Sequence, residues 1–238
     1  MSSPFEYAEW PDYSKLVRWH HPERGLVYPA DFIPHAEESG LISPIGRWVL
    51  DEACRRLREW HEHAPVSVAV NCSPNQLRSP DFGAAVRDAV SGAGISPSLL
   101  TLEMTEGVLM DGGQESLGVL RELKDLGVRL AIDDFGTRYA SLGYLARFPI
   151  DTLKIDRSFV ARLGTQQSGS AIVSAILAMA AALELSVVAE GVETAQQARM
   201  MHRLGCTLAQ GFHFAMPMPA AELGRLLEHR AVGAAAAS

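Results

Sequence analysis

Along almost the whole chain, short runs of aliphatic and β-branched residues alternate with longer stretches of helical spacing. The short runs are 16–19 (LVRW), 66–71 (VSVAVN), 99–103 (LLTLE), 128–133 (VRLAID), 152–155 (TLKI), 186–190 (SVVAE) and 206–210 (CTLAQ). Between them, Ile45, Trp48, Val49, Ala53, Leu57 and Trp60 recur at helical spacing, after a Ser43-Pro44 pair suited to the N-cap and first helical position. Further helices are predicted over 82–90, 114–126, 171–183 and 220–228, with a short one near 142–147. Thr194 and Gln197 form a capping-box pattern, and Gly205 stands at the stop of that helix. Strands alternating with helices predict one α/β domain with a parallel sheet. Seven strand–helix units are legible, and eight would close a TIM-type (β/α) barrel. An open doubly wound sheet is the alternative, but neither GxGxxG nor a P-loop is present.

Composition narrows the class of partner. The 238 residues suit one large domain, and 47% hydrophobic with 21% charged residues is ordinary for a globular chain. A net charge of −7 argues against a general electrostatic grip on nucleic acid or an anionic membrane, though not against a small phosphorylated ligand. Cys54, Cys72 and Cys206 are odd in number and far apart, so neither a disulfide framework nor a CxxC metal site is expected. No apolar stretch has the length of a membrane span, and MSSPFEYAEW lacks the pattern of a signal peptide; the expected compartment is the cytoplasm.

Asn71, Glu103, Asp133, Lys154, Glu190 and Gln210 each end, or nearly end, an apolar run. Any one of them alone reads as a turn former or helix cap. Together they are harder to dismiss, because Lys, Glu and Gln are poor turn residues, and in a barrel the C-terminal strand ends converge on one mouth. Asp133-Asp134 is the sharpest element: adjacent carboxylates repel unless a cation holds them, against the plainer reading of an Asx-turn with a cap. Oxygen-rich ligands without His or Cys suit Mg2+ or Mn2+, and a shared carboxylate would make a two-metal site. Such sites cleave phosphate esters, with Lys154 placed to orient water or steady a phosphoryl oxygen.

Longer motifs carry a resemblance. In order they are 16–25 (LVRWHHPERG), 32–40 (FIPHAEESG), 45–54 (IGRWVLDEAC), 102–106 (LEMTE), 133–137 (DDFGT), 153–160 (LKIDRSFV), 187–194 (VVAEGVET) and Gln210-Gly211. The series resembles the EAL domain family of bacterial cyclic di-GMP phosphodiesterases over nearly the whole chain. The resemblance implies a TIM-type barrel and hydrolysis of one phosphodiester bond to give linear pGpG. It implies Asn71, Glu103 and Asp133 at a first metal, with Asp133 bridging to a second ion held by Asp134 and Glu190. Lys154 and Glu190 are the implied catalytic residues; Arg18, Asp156 and Gln210 are implied ligand contacts, Arg18 to a phosphate and Asp156 to a guanine. Glu106 is implied as the acid that steadies the loop after Asp134. Cyclic di-GMP is the implied partner, with a homodimer and fused or separate sensor or regulatory domains left open.

Departures from the family pattern qualify the activity. Ser14-Lys15-Leu16 stands where the family has Glu-Ala-Leu, so a neutral hydroxyl replaces a metal carboxylate; Asp12, two residues earlier on the same strand face, is a poor substitute. Residues 1–13 are too few for the family's opening helix and strand, so the first barrel strand is expected to be missing or altered, with 5–10 as a makeshift replacement. Arg138 replaces a usual Gly and Ala140 a usual Ser in the loop that links the metal site to the family's dimer interface. The expected organisation is an atypical segment 1–13, an EAL-like domain 14–230 and a disordered tail 231–238. The expected function is a cyclic di-GMP phosphodiesterase whose turnover is weak or lost through Ser14. The alternative is an inactive cyclic di-GMP receptor or protein-interaction regulator.

Overall fold

The computed structural model describes residues 17–108, 113–137, 145–164 and 167–235. Ser14, Asp12, segments 1–13 and 14–16, Arg138, Ala140 and residues 142–144 of the short helix expected near 142–147 lie outside the described residues.

The described residues begin with an antiparallel hairpin of β1 (Trp19–His21) and β2 (Gly25–Val27), in which Trp19 faces Val27. Helices α1 (Pro29–Glu38) and α2 (Ile42–His61) follow. Then come β3 (Val68–Asn71), α3 (Pro74–Leu77), α4 (Phe82–Ala93) and β4 (Leu100–Thr105). The second half comprises α5 (Gly113–Leu126), β5 (Arg129–Phe135), β6 (Thr152–Ile155), α6 (Arg157–Ala161), α7 (Gln167–Ala182), β7 (Ser186–Ala189), α8 (Ala195–Arg203), β8 (Leu208–Ala209) and α9 (Ala220–Ala235). Strands β3 to β8 form one parallel sheet in sequence order, the curled half-barrel of a TIM-type fold.

Register explains why one sheet face is apolar and the other carries chemistry. Val68 and Val70, Leu100 and Leu102, Leu130 and Ile132, and Leu153 and Ile155 are buried in the core cluster with residues of α2, α4, α5 and α7. With a period of two, the intervening residues Ala69, Thr101, Ala131, Thr152 and Val188 point to the opposite face. Asn71, Glu103, Lys154, Glu190 and Gln210 continue that second set at the C-terminal strand ends.

Three expectations need correction. The run 16–19 reads from sequence as one of the seven strands of the parallel sheet, but among the described residues the strand is Trp19–His21 and pairs with Gly25–Val27 outside that sheet. Gly25 adopts φ +69 and His21 Nδ1 accepts the backbone N–H of Glu23 and Arg24 at 3.1 and 3.2 Å, which closes a tight turn that apolar patterning does not reveal. Helix α2 starts at Ile42 rather than behind a Ser43 cap, because Leu41 is already helical and Ile45 N–H donates to Leu41 O at 3.1 Å. The backbone of α9 stays helical to Ala235, inside the segment read as a tail. The capping box of Thr194 and Gln197 forms as its pattern predicts, and Gly205 ends that helix at φ +94.

Candidate functional site

The centre of the mouth is Lys154, only 2% exposed at the end of β6. Its Nζ lies 2.7 Å from Glu103 Oε1, 2.7 Å from Glu190 Oε1 and 3.2 Å from Asp133 Oδ1. The three carboxylates are themselves buried, and they arrive from β4, the end of β7 and β5. Ladder bonds carried past the strands fix two of these positions: Cys72 N–H donates to Glu103 O at 2.7 Å, and Glu190 N–H to Ile155 O at 3.0 Å. Gln210 joins the group by donating from Nε2 to Glu190 Oε1 at 2.6 Å, its own N–H bound to Ala189 O at 2.8 Å.

A plain strand would send Asp133 and Asp134 to opposite faces. Here Ile132 pairs with Leu153 and Phe135 with Ile155, so two residues of β5 oppose Lys154 alone. That one-residue bulge turns the strand so that both carboxylates can serve one site. Asp134 takes φ +54, a left-handed conformation that Asp tolerates better than most residues, and its N–H donates to Asp133 Oδ1 at 3.1 Å. Ligand oxygens of Asp133, Asp134 and Glu190 come within 4.8 Å of one another.

The loop behind the bulge is clamped. Gly136 N–H donates to Oε2 of the buried Glu106 at 3.1 Å, and Thr137 Oγ1 donates to Asp134 O at 2.9 Å. A Cβ on Gly136, at φ +95, would come within 2.9 Å of the Phe159 ring. Gly and a reach-across acid are therefore both built into the seat of the Asp pair.

Of the residues singled out from sequence, Glu103, Asp133, Lys154, Glu190 and Gln210 meet directly and Asp134 lies beside them. Asn71 is exposed and in register with Glu103, so it shares the inner face one strand away. Asp156 caps α6, its Oδ1 accepting Ser158 N–H at 3.0 Å. Arg18 lies on the hairpin side, with its guanidinium 4.9 Å from the Tyr28 ring centroid. Sequence reasoning missed Gly136 and the capping box of Ser73 and Gln76 that turns the chain directly after Asn71. The Ser-x-x-Gln spacing was a usable signal for that box; periodicity held none for the bulge.

Among the described residues, three buried carboxylates meet one ammonium and a fourth lies beside them, which leaves an excess of negative charge. All donors are oxygen, as hard divalent cations require, so the residues fit a metal site of the Mg2+ or Mn2+ type. A parallel α/β barrel with such an acidic C-terminal mouth defines a metal-dependent class of domain. The family model for the EAL domain matches residues 10–217, and the chain belongs to the EAL domain family, whose members are metal-dependent TIM-type barrels.

Two curated relatives from Pseudomonas aeruginosa are closely similar. The bifunctional diguanylate cyclase/cyclic di-GMP phosphodiesterase MucR is 48% identical over 210 residues, 87% of this chain and 31% of the relative. The cyclic di-GMP phosphodiesterase NbdA is 46% identical over 214 residues, 89% of this chain and 27% of the relative. This chain thus spans about a third or less of the length of either. The solved structure of the PaMucR phosphodiesterase with c-di-GMP superimposes with a TM-score of 0.82 at 48% identity, covering 87% of this chain and 84% of that one. No helix among the described residues is long and apolar enough to cross a membrane.

Proposed function

We propose that this chain is a cyclic di-GMP phosphodiesterase domain, bounded by residues 14–230, that hydrolyses one phosphodiester bond to give pGpG and whose turnover is limited by Ser14. The observation that carries the reading is Lys154 held among Glu103, Asp133 and Glu190. Its support is the similarity to relatives named as cyclic di-GMP phosphodiesterases and to a phosphodiesterase solved with c-di-GMP.

Asn71, Glu103 and Asp133 would hold one Mg2+ or Mn2+, and Asp133, Asp134 and Glu190 a second. Bound divalent ions supply an activated water and neutralise charge on the phosphoryl oxygens. The chain's own part is orientation and charge. Lys154 is the cation that meets these three carboxylates among the described residues and is placed to donate to water or a phosphoryl oxygen. Glu190 holds Gln210 by a short hydrogen bond, which fixes the amide for a ligand contact at the rim. Glu106 keeps the loop after Asp134 in place through Gly136. Arg18 contacts a phosphate and Asp156 a guanine.

Ser14 favours a second reading, a cyclic di-GMP receptor without turnover, since a hydroxyl cannot replace a metal carboxylate. Incubation with cyclic di-GMP and Mn2+, with pGpG measured beside calorimetric binding, separates the two. The expected outcome is binding with little pGpG in the parent, and clearly raised turnover in Ser14→Glu. Robust cleavage by the parent would overturn the limit set by Ser14. Binding with no cleavage in either form would establish the receptor.

A further inference from the structure

We propose that Tyr28 is a positioning residue for ligand phosphate, acting through Arg18. The inference rests on the reading of Arg18 as the phosphate contact.

The argument starts from the hairpin register. Trp19 faces Val27 and His21 faces Gly25. One step outward along the same register, Arg18 stands opposite Tyr28, and the guanidinium lies 4.9 Å from the ring centroid. That distance is within the range of a cation–π contact. The register is held at both ends. At the turn, Nδ1 of His21 accepts the N–H groups of Glu23 and Arg24, so a neutral ring carries its proton on Nε2. On the body side, the Trp19 ring meets Phe32 of α1 edge-on at 6.1 Å between centroids. Neither residue of the pair belongs to the parallel sheet, and the hairpin and the stack both restrain the guanidinium.

An arginine has long rotamer freedom, and ordering it on ligand binding carries an entropic cost. A ring that already occupies one face of the guanidinium restricts it before the ligand arrives. A phosphate is bound in the plane of the guanidinium and not through its face, so a ring stacked on the face does not compete with it. Arg18 Nη1 also donates to Val17 O at 3.1 Å, a second restraint on the same group. Tyr28 is 54% exposed and is not in the core cluster, so its ring adds little to core packing and its contact with Arg18 is the interaction to explain. An exposed aromatic that caps a binding arginine adds affinity without touching the ligand.

The test uses the full chain with cyclic di-GMP in the presence of Mn2+, with affinity read by calorimetry. It compares the parent with Tyr28→Ala, Tyr28→Phe, Arg18→Ala and the double variant Arg18→Ala/Tyr28→Ala. In parallel, the Nε–Hε resonance of Arg18 is followed by NMR without ligand. Tyr28→Ala is expected to weaken binding about threefold to tenfold, with an unchanged thermal midpoint. Tyr28→Phe keeps the ring face and should restore parental affinity. The double variant should bind no more weakly than Arg18→Ala alone, since Tyr28 acts only through Arg18. The ring-current shift of the Arg18 resonance should be present in the parent and in Tyr28→Phe, and absent in Tyr28→Ala. If Tyr28→Ala and Arg18→Ala weaken binding independently, or if Tyr28→Ala leaves affinity unchanged while Arg18→Ala weakens it, the positioning role is overturned and the phosphate contact stands. If Arg18→Ala leaves affinity unchanged, or the parent does not bind, the underlying reading fails and takes the positioning role with it; the NMR shift then still reports whether the stack exists.

Discussion

Lys154 shows how much of the site depends on single charges. Its ammonium is buried with three carboxylates, and removal of a partner from such a group leaves charge without compensation. Lys154→Met in EDTA is therefore expected to lose about 3–5 kcal/mol by urea denaturation. A loss under about 0.5 kcal/mol would mean that the carboxylates do not need the ammonium. Turnover should be abolished in the same variant. The cysteines behave oppositely, as inert core. Desolvation pushes the Cys54 thiol up to about 11, with Asp51 adding to it, pushes Cys206 up to about 11, and raises Cys72 further with Glu103 adding to it. At pH 8 the thiolate fraction is very small in each, and each side chain is buried. Iodoacetamide should therefore leave all three unmodified in the folded protein and label them only in denaturant. Rapid labelling of the native chain at pH 8 would contradict this burial. The residue types of the mouth were legible from sequence because Lys, Glu and Gln at strand ends serve no turn. Tyr28 was not legible, since nothing in local spacing pairs it with Arg18 until the hairpin register is known.

Elements decide where those side chains point. Period-two alternation explains Asn71, Glu103, Lys154, Glu190 and Gln210 on one face without further help. It fails at Asp133-Asp134, where the bulge against Lys154 does the placing. A bulge follows from pairing across strands, so one strand's sequence does not announce it. The loop that completes it can be tested at Gly136. An alanine there must hold φ +95 and would place its Cβ 2.9 Å from the Phe159 ring. Backbone strain and contact with a buried aromatic predict a loss of about 1–3 kcal/mol for Gly136→Ala. Because Glu106 holds the same loop, the variant should also weaken Mn2+ binding by calorimetry. Stability loss with unchanged metal affinity would separate the loop from the Asp pair. The first strand shows the converse limit. Its apolar run was visible, but the Gly25 turn and the His21 contacts divert it into a hairpin. A turn formed through a side-chain nitrogen leaves no hydrophobic pattern to read.

At the scale of the whole molecule, the sheet gathers like charge at one end, and the chain is acidic overall with a net charge of −7. Carboxylates from separate strands are forced together by the fold, so their mutual repulsion opposes the native state and is relieved when the chain unfolds. A divalent cation at the mouth reverses that balance. It binds the assembled site and has little affinity for the same residues dispersed along an unfolded chain. Linkage then adds RT ln(1 + [L]/Kd) to stability, about 2.7 kcal/mol at a hundredfold excess over Kd. For a domain of this size each kcal/mol moves the thermal midpoint by about 2–4 °C. Millimolar Mn2+ is thus expected to raise the midpoint by several degrees over EDTA, with a logarithmic dependence on concentration. Asp133→Asn should remove most of that rise, because Asp133 touches Lys154 and shares a cluster with Asp134 and Glu190. The same substitution lowers the repulsion of the metal-free mouth, so in EDTA the variant should be no less stable than the parent. This pairing of signs distinguishes a metal seat from a merely structural acid. An ordinary core carboxylate lost to Asn would lower the midpoint equally with and without metal, and that result would sink the assignment of Asp133 to the ions.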